Sequence, residues 1–182
     1  MVKNMLEFKR FTSPQDVDVW VAKHFNENQL MEFSAKDNLD SALGTYKCSG
    51  YRWINEGIRI GGINSNEVLE LQKMLMQQAI PESIQTFRFV SPKELSILIW
   101  KTRRRHAFNY PGFLSTTLLP EYYSMNHIKD KRILISFFIE KGVSGMYLPE
   151  VNPNMPEFEI LFPHHLKIKR IQWNQYLIEY TK

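Results

Sequence analysis

The sequence predicts an α+β fold, helical over about residues 1–80 and β-rich over about 84–182. Two observations carry that expectation. Apolar residues at helical spacing, each set preceded by a capping residue, are concentrated in the first part. Runs of β-branched and aromatic residues separated by turn formers fill the second. Helices first and strands later is the order of an α+β chain, not of alternating strand–helix units. The 182 residues are read as one domain, 1–182, large enough to bury a core without a metal or a disulfide.

In chain order, Ser13-Pro14-Gln15-Asp16 opens the first helix with a cap, a proline in the first turn and an acid beside the positive end of the dipole. Val17, Trp20, Val21 and His24 follow at helical spacing. Two shorter helices are expected around 37–46 and 50–59, separated by a break at Ser49-Gly50. Asn64 with Glu67 is the next capping signal; Val68, Leu71, Leu75, Met76 and Ala79 form the stripe behind it, and Pro81 closes that helix. Strands are expected near 84–90, 113–119, 132–140, 157–163 and 166–180. One helix interrupts them, opened by Ser91-Pro92-Lys93-Glu94, with Leu95, Leu98 and Ile99 facing inward. Pro149 to Pro156 holds too many breakers for a strand and reads as a loop.

The composition, 43% hydrophobic, 23% charged and 13% aromatic, is that of a soluble globular protein. A single cysteine, Cys48, excludes an intrachain disulfide. His164 and His165, placed on opposite faces of a strand, make poor co-ligands, and no metal is expected. The N-terminus lacks the apolar run of a signal peptide, so the chain is expected in the cytosol where it is made, or as a piece cut from a longer precursor. No membrane partner is expected. The net charge of +4 favours an anionic ligand or partner.

Four segments carry residues with chemical potential. Glu157 and Glu159 lie two apart at the start of an apolar run, which in an extended chain puts both carboxylates on one side. Ser115, Thr116 and Thr117 are consecutive hydroxyls after a Gly112-Phe113 entry, Ser115 and Thr117 toward one face and Thr116 toward the other. Arg88 interrupts the apolar strand Thr86–Val90 and needs an anion: a pyrophosphate, or a structural acid. Tyr51, Asn55 and Arg59 share one helix face just after Tyr46. Each segment alone also fits an ordinary wet edge, strand or helix face.

Taken in order, Tyr46-x4-Tyr51-x3-Asn55, Arg88, Ser115-Thr116-Thr117 and Glu157-x-Glu159 resemble the mono-ADP-ribosyltransferase family. The similarity is to its clostridial-type toxins, with their Arg/Ser-Thr-Ser/Glu-x-Glu signature. It runs from about Tyr46 to about Lys169, through the Lys141-Gly142 turn and Glu159-Ile160-Leu161-Phe162-Pro163. The resemblance implies a helical lobe packed on a mixed two-sheet core, with NAD between them as substrate. It implies that Arg88 holds the NAD phosphates, Ser115 orients Glu159, and Thr116 and Thr117 support the strand, Thr116 beside the nucleotide. Glu159 is then the catalytic residue and Glu157 engages the acceptor. Tyr46, Tyr51, Asn55 and Arg59 line the NAD site. A glutamate at the first position of the pair goes with arginine acceptors in this family. The implied partners are NAD, a protein acceptor and a separate delivery component, not nucleic acid. The chain departs from the pattern where Phe89, not glycine, follows the strand arginine. An NAD glycohydrolase and a non-catalytic module of the same fold are the alternatives.

Overall fold

The computed structural model describes residues 7–25, 42–60, 65–105, 107–122, 132–148 and 156–179. Its helices are α1 (Pro14–His24), α2 (Ala42–Thr45), α3 (Tyr51–Arg59), α4 (Asn66–Met76) and α5 (Pro92–Arg105). Its strands are β1 (Ile84–Val90), β2 (Ala107–Asn109), β3 (Leu114–Thr117), β4 (Ile133–Ile139), β5 (Met146–Tyr147), β6 (Glu159–Phe162), β7 (Lys167–Gln172) and β8 (Gln175–Ile178).

The helix starts follow their caps. The Asp16 amide donates to Ser13 Oγ at 3.2 Å, and α1 buries Val17, Trp20 and Val21. The Glu94 amide donates to Ser91 Oγ at 3.1 Å. For α4 the cap is Ser65, whose hydroxyl accepts from the Val68 amide at 3.4 Å; the expected cap Asn64 lies outside the described residues. Val68, Leu71 and Leu75 are buried as expected, but Met76 is 57% exposed and ends the helix before Pro81 is reached.

The expected break at Ser49-Gly50 is absent. Residues 37–41 lie outside the described ones, and from Ala42 to Arg59 the chain is one helical run. Its middle, Tyr46–Gly50, is a π-helical turn. Gly50 is itself helical, at φ −72° and ψ −23°. It contributes room rather than a turn, since a Cβ there would stand 2.5 Å from the Thr45 carbonyl oxygen. π-Helical turns inside helices often mark functional positions, and this one carries Tyr46.

The strands follow the order β2-β7-β8-β4-β1-β3-β6-β5. They form two leaves of one hydrogen-bonded network. The leaf β2-β7-β8-β4-β1 is mixed, because β4 and β8 run parallel. The leaf β3-β6-β5 is antiparallel. One register pair, Phe87 with Thr117, joins β1 to β3, whereas β1 and β4 are paired over their full length. The expected two-sheet core therefore takes the form of leaves hinged on a single rung. The strand expected over 166–180 is a hairpin, turning at Trp173-Asn174. Strands β2 and β5, three and two residues long, were not expected.

Two clusters hold the layers together. The larger joins Trp20 of α1 and Leu98 of α5 to Ile84, Phe137, Ile160, Phe162 and Ile178 of the sheet. The second joins Leu43, Tyr46, Ile54 and Leu71 of the helices to Phe113, Met146 and Leu161. Strand β6 thus feeds Ile160 and Phe162 to one core and Leu161 to the other, as strand alternation requires. Among the described residues no helix is long and apolar enough to cross a membrane.

Replacing Gly50 with alanine should destabilise the protein by about 1–3 kcal/mol, because the new methyl meets fixed backbone. Urea denaturation of wild type and Gly50→Ala measures this, and equal midpoints would show that the π-helical turn relaxes freely.

Candidate active site

Strand alternation sets the geometry. Glu159 lies two residues before Leu161, so it faces the helical side of β6, where Leu161 packs with Tyr46 and Ile54. Ser115 stands opposite Leu161 and Thr117 opposite Glu159 in the β3–β6 ladder, which puts both hydroxyls on that same side. Thr116 stands opposite Ile160 and is 3% exposed, with its hydroxyl 3.4 Å from the Ile160 carbonyl. Thr116 therefore lies on the core side of β3, opposite to the face of Ser115 and Thr117. The Thr117 hydroxyl donates to the Glu157 carbonyl at 2.7 Å and accepts from the Leu119 amide at 3.1 Å.

The two acids do not share a strand face. Phe158, between them, has a φ of 46°, and β6 begins only at Glu159. A left-handed phenylalanine breaks the alternation on which the same-side expectation rested. Its ring is buried, edge-on to Tyr122 with centroids 5.6 Å apart, and its carbonyl accepts from the Leu118 amide at 3.0 Å.

The helical wall meets the strands through Asn55. Its amide nitrogen donates to the Tyr46 hydroxyl at 3.2 Å, and its oxygen accepts from the Phe113 amide at 2.7 Å. Gly112 leaves space for that bond, because a Cβ there would lie 2.8 Å from Asn55 Oδ1. Arg59, one turn on, donates to the Tyr110 hydroxyl at 3.5 Å. Tyr51, at the start of α3, is 42% exposed, and its hydroxyl accepts from Arg52 Nε at 2.9 Å. It stands outside the hydrogen bonds that join Tyr46, Asn55 and the strands.

Arg88 lies at the junction of the two leaves. Its Nη1 donates to the Ser115 carbonyl at 2.7 Å, and its Nε lies 3.5 Å from Glu94 Oε1. The same Glu94 oxygen accepts from the Tyr110 hydroxyl at 2.9 Å. Arg59, Tyr110, Glu94, Arg88 and the Ser115 carbonyl therefore form one chain of polar contacts from α3 to β3. Glu94 and Tyr110 were not singled out in the sequence. Glu94 read only as the reciprocal partner of the Ser91 cap. The one available signal for Tyr110 was its place before Pro111-Gly112, at the entry to the hydroxyl run.

The charges converge on Tyr46. Burial foremost, then the Glu159 carboxylate, push its phenol well above the usual tyrosine value, while Asn55 and the Arg88 guanidinium oppose the shift. The acid, the cation, the amide and the phenol thus act on one another at the seam between helices and sheet. Burial also raises Tyr110, which Arg88 pulls down and Glu94 pushes up. His164 and His165 are not on a strand as expected. They form a turn in which His165 has a φ of 63°, with their rings 4.5 Å apart. Among the described residues no group of three or more His, Cys, Asp or Glu is placed to hold a metal ion.

The buried tyrosines give a pH signature. Tyr46, Tyr110 and Tyr176 are all raised in the folded state, whereas unfolded tyrosines ionise near pH 10. Their contribution is complete below about pH 10; above it the unfolded state loses protons first, so stability falls with rising pH. Near-ultraviolet absorbance should show these three ionising above the range of the exposed tyrosines. Full ionisation of every tyrosine near pH 10 in a still-folded protein would contradict their burial.

Comparison with known proteins agrees with this fold. The profile of the ADP-ribosyltransferase exoenzyme family matches residues 18–179. No curated protein sequence matches the chain. Among solved structures, the fold is similar to the C3 exoenzyme of Clostridium limosum, at 20% identity and a TM-score of 0.65, covering 95% of this chain and 98% of that one. It is also similar to an ADP-ribosyltransferase from Clostridium botulinum, at 18% identity and a TM-score of 0.62, covering 94% of this chain and 96% of that one. A third, the ADP-ribosylating toxin of a binary enterotoxin of C. perfringens, solved with NADH, has 17% identity and a TM-score of 0.65, covering 89% of this chain and 43% of that one. Matched by the family profile over nearly its whole length, the chain belongs to the ADP-ribosyltransferase exoenzyme family.

Proposed function

We propose that the chain is an NAD-dependent mono-ADP-ribosyltransferase that passes ADP-ribose from NAD to an arginine side chain of a protein and releases nicotinamide. The whole of 1–182 serves as one catalytic domain in this reading. The observation that carries it is the bond from Arg88 Nη1 to the Ser115 carbonyl, with Ser115 and Glu159 on one side of the β3–β6 ladder. One acid, one cation and a set of polar side chains at a helix–sheet seam suit a dinucleotide whose ribose becomes cationic as it reacts.

The chemistry follows from that charge. Breaking the glycosidic bond to nicotinamide builds oxocarbenium character on the ribose. A fixed carboxylate stabilises charge that exists mainly in the transition state. Glu159 fills that role, accepting from the ribose 2-hydroxyl as the charge develops, as in glycoside hydrolysis. Nicotinamide leaves as a neutral molecule, so its departure needs no general acid. Ser115 orients Glu159. Arg88 and Arg59 offer guanidinium groups to the phosphates, while Tyr46, Tyr51 and Asn55 line the nucleotide path.

Glu157 acts on the acceptor. A protonated arginine, with a pKa above ~12, is a poor nucleophile until a carboxylate orients it and takes a proton. The left-handed Phe158 supports this division, since it sets Glu157 off the strand that carries Glu159. Two of the similar structures are the ADP-ribosylating toxin of a binary enterotoxin and the enzymatic component of a botulinum C2 toxin, which supports a separate delivery component here.

Glu157→Gln should retain nicotinamide release to within about tenfold while transfer to agmatine falls about a hundredfold or more. Parallel assays of free nicotinamide and of ADP-ribosyl-agmatine measure the split. Equal loss of both would contradict the division of labour. Wild-type nicotinamide release with no labelled acceptor, in agmatine or in protein, would favour the glycohydrolase.

A further inference from the structure

The C-terminal half of helix α5 lines a recess. Ile99, Thr102 and Arg103 face Lys169, Arg170 and Trp173 of the β7–β8 hairpin across a cavity of about 370 Å³. Its floor is apolar. Ile99 packs on the main core, and the buried Thr102 donates its hydroxyl to the Leu98 carbonyl of its own helix at 2.7 Å. Its rim is cationic. Arg103 is exposed, and the Arg170 guanidinium lies 5.9 Å from the centre of the Trp173 ring. Lys169 pairs with Glu179 at 3.6 Å, but both side chains are well exposed, so water screens the pair and a competing carboxylate displaces it at little cost. Trp173 is 64% exposed at the hairpin turn, and Trp100, 54% exposed and one helical turn before Arg103, extends the apolar surface along α5.

Exposed tryptophans beside arginines are the residues that anchor protein interfaces when a pocket is available for a partner side chain. The cavity separates the candidate occupants. A bilayer presents no projecting side chain to fill a recess of this size. A nucleic acid calls for an open aromatic platform, whereas Arg170 already covers one side of Trp173. An apolar floor inside a cationic rim matches a peptide with one aliphatic or aromatic anchor among carboxylates.

We propose that this groove docks an acidic segment of a partner protein, its apolar anchor in the cavity and its carboxylates on Arg103, Lys169 and Arg170. The groove stands at the far part of the sheet from Glu159: β7 and β6 are five steps apart in the strand order, about 24 Å at the spacing of paired strands. Along α5, Thr102 is only about 12 Å from Glu94, which pairs with Arg88. The inference stands on its own geometry and does not require the transferase reading.

The test uses the full chain and a fluorescein-labelled peptide bearing a Phe-Leu pair flanked on both sides by Asp and Glu. Fluorescence anisotropy should show saturable binding that weakens with salt. Binding should fall about tenfold or more in the double variant Arg103→Glu, Arg170→Glu, and again in Trp173→Ala. Circular dichroism and thermal melting of both should match wild type, as expected for the exposed Arg103 and Trp173 and for Arg170 at the half-exposed rim. Three results overturn the proposal: variants that bind like wild type; a control peptide with Ala-Ala in place of Phe-Leu that binds equally well; or displacement of the peptide by phosphatidylserine vesicles or a single-stranded oligonucleotide binding more tightly.

Discussion

The two leaves of the sheet meet at one backbone rung, Phe87 with Thr117, and the Arg88 guanidinium reinforces that joint by holding the Ser115 carbonyl at 2.7 Å. The position of β3, and with it β6 and Glu159, depends on this seam. Glu94 keeps the guanidinium in place from the first turn of α5, and Tyr110 holds Glu94 in turn. An arginine in an apolar strand is costly unless its donors are satisfied by fixed acceptors. Here the Ser115 carbonyl accepts from Nη1 and the Glu94 carboxylate pairs with the charge from a second element, which offsets part of that cost. The same residue that joins the leaves also favours ionisation of Tyr46, against burial and Glu159. Architecture and site electrostatics therefore share one side chain.

A second constraint lies at Phe158. A left-handed conformation costs a non-glycine residue about 1–3 kcal/mol. Burying a phenylalanine ring returns about 1.5–3 kcal/mol, and the Phe158 ring is buried against Tyr122. Hydrogen bonds from Thr117 Oγ1 to the Glu157 carbonyl, and from the Leu118 amide to the Phe158 carbonyl, fasten the turn on both sides. The turn changes the direction of the chain between the two acids. Backbone geometry alone thus separates a carboxylate seated on a strand from one on the approach to it.

Much of this was legible because it is encoded locally. Ser13 and Ser91 are cap residues whose effect reaches only three residues on, and α1, α5 and β1 begin where the sequence places them. The order of Tyr46, Asn55, Arg88, Ser115 and Glu159 was legible as a family resemblance, and the fold brings these residues to one seam. What escaped depends on long-range contacts. Gly50 reads as a breaker, yet its lack of a side chain admits the Thr45 carbonyl into a continuous helix. Strands β2 and β5 are too short to show a period. Glu94 served a helix cap in the sequence, and only folding shows its carboxylate reaching Arg88 and Tyr110.

The most direct test of the account is transfer of label from NAD, radioactive in its adenylate, to agmatine or lysate protein by the purified chain, beside Glu159→Ala. The account predicts labelled acceptor and free nicotinamide with wild type, and both reduced at least about a hundredfold in the variant. Equal labelling by Glu159→Ala, or a folded wild-type protein that releases no nicotinamide, would contradict it.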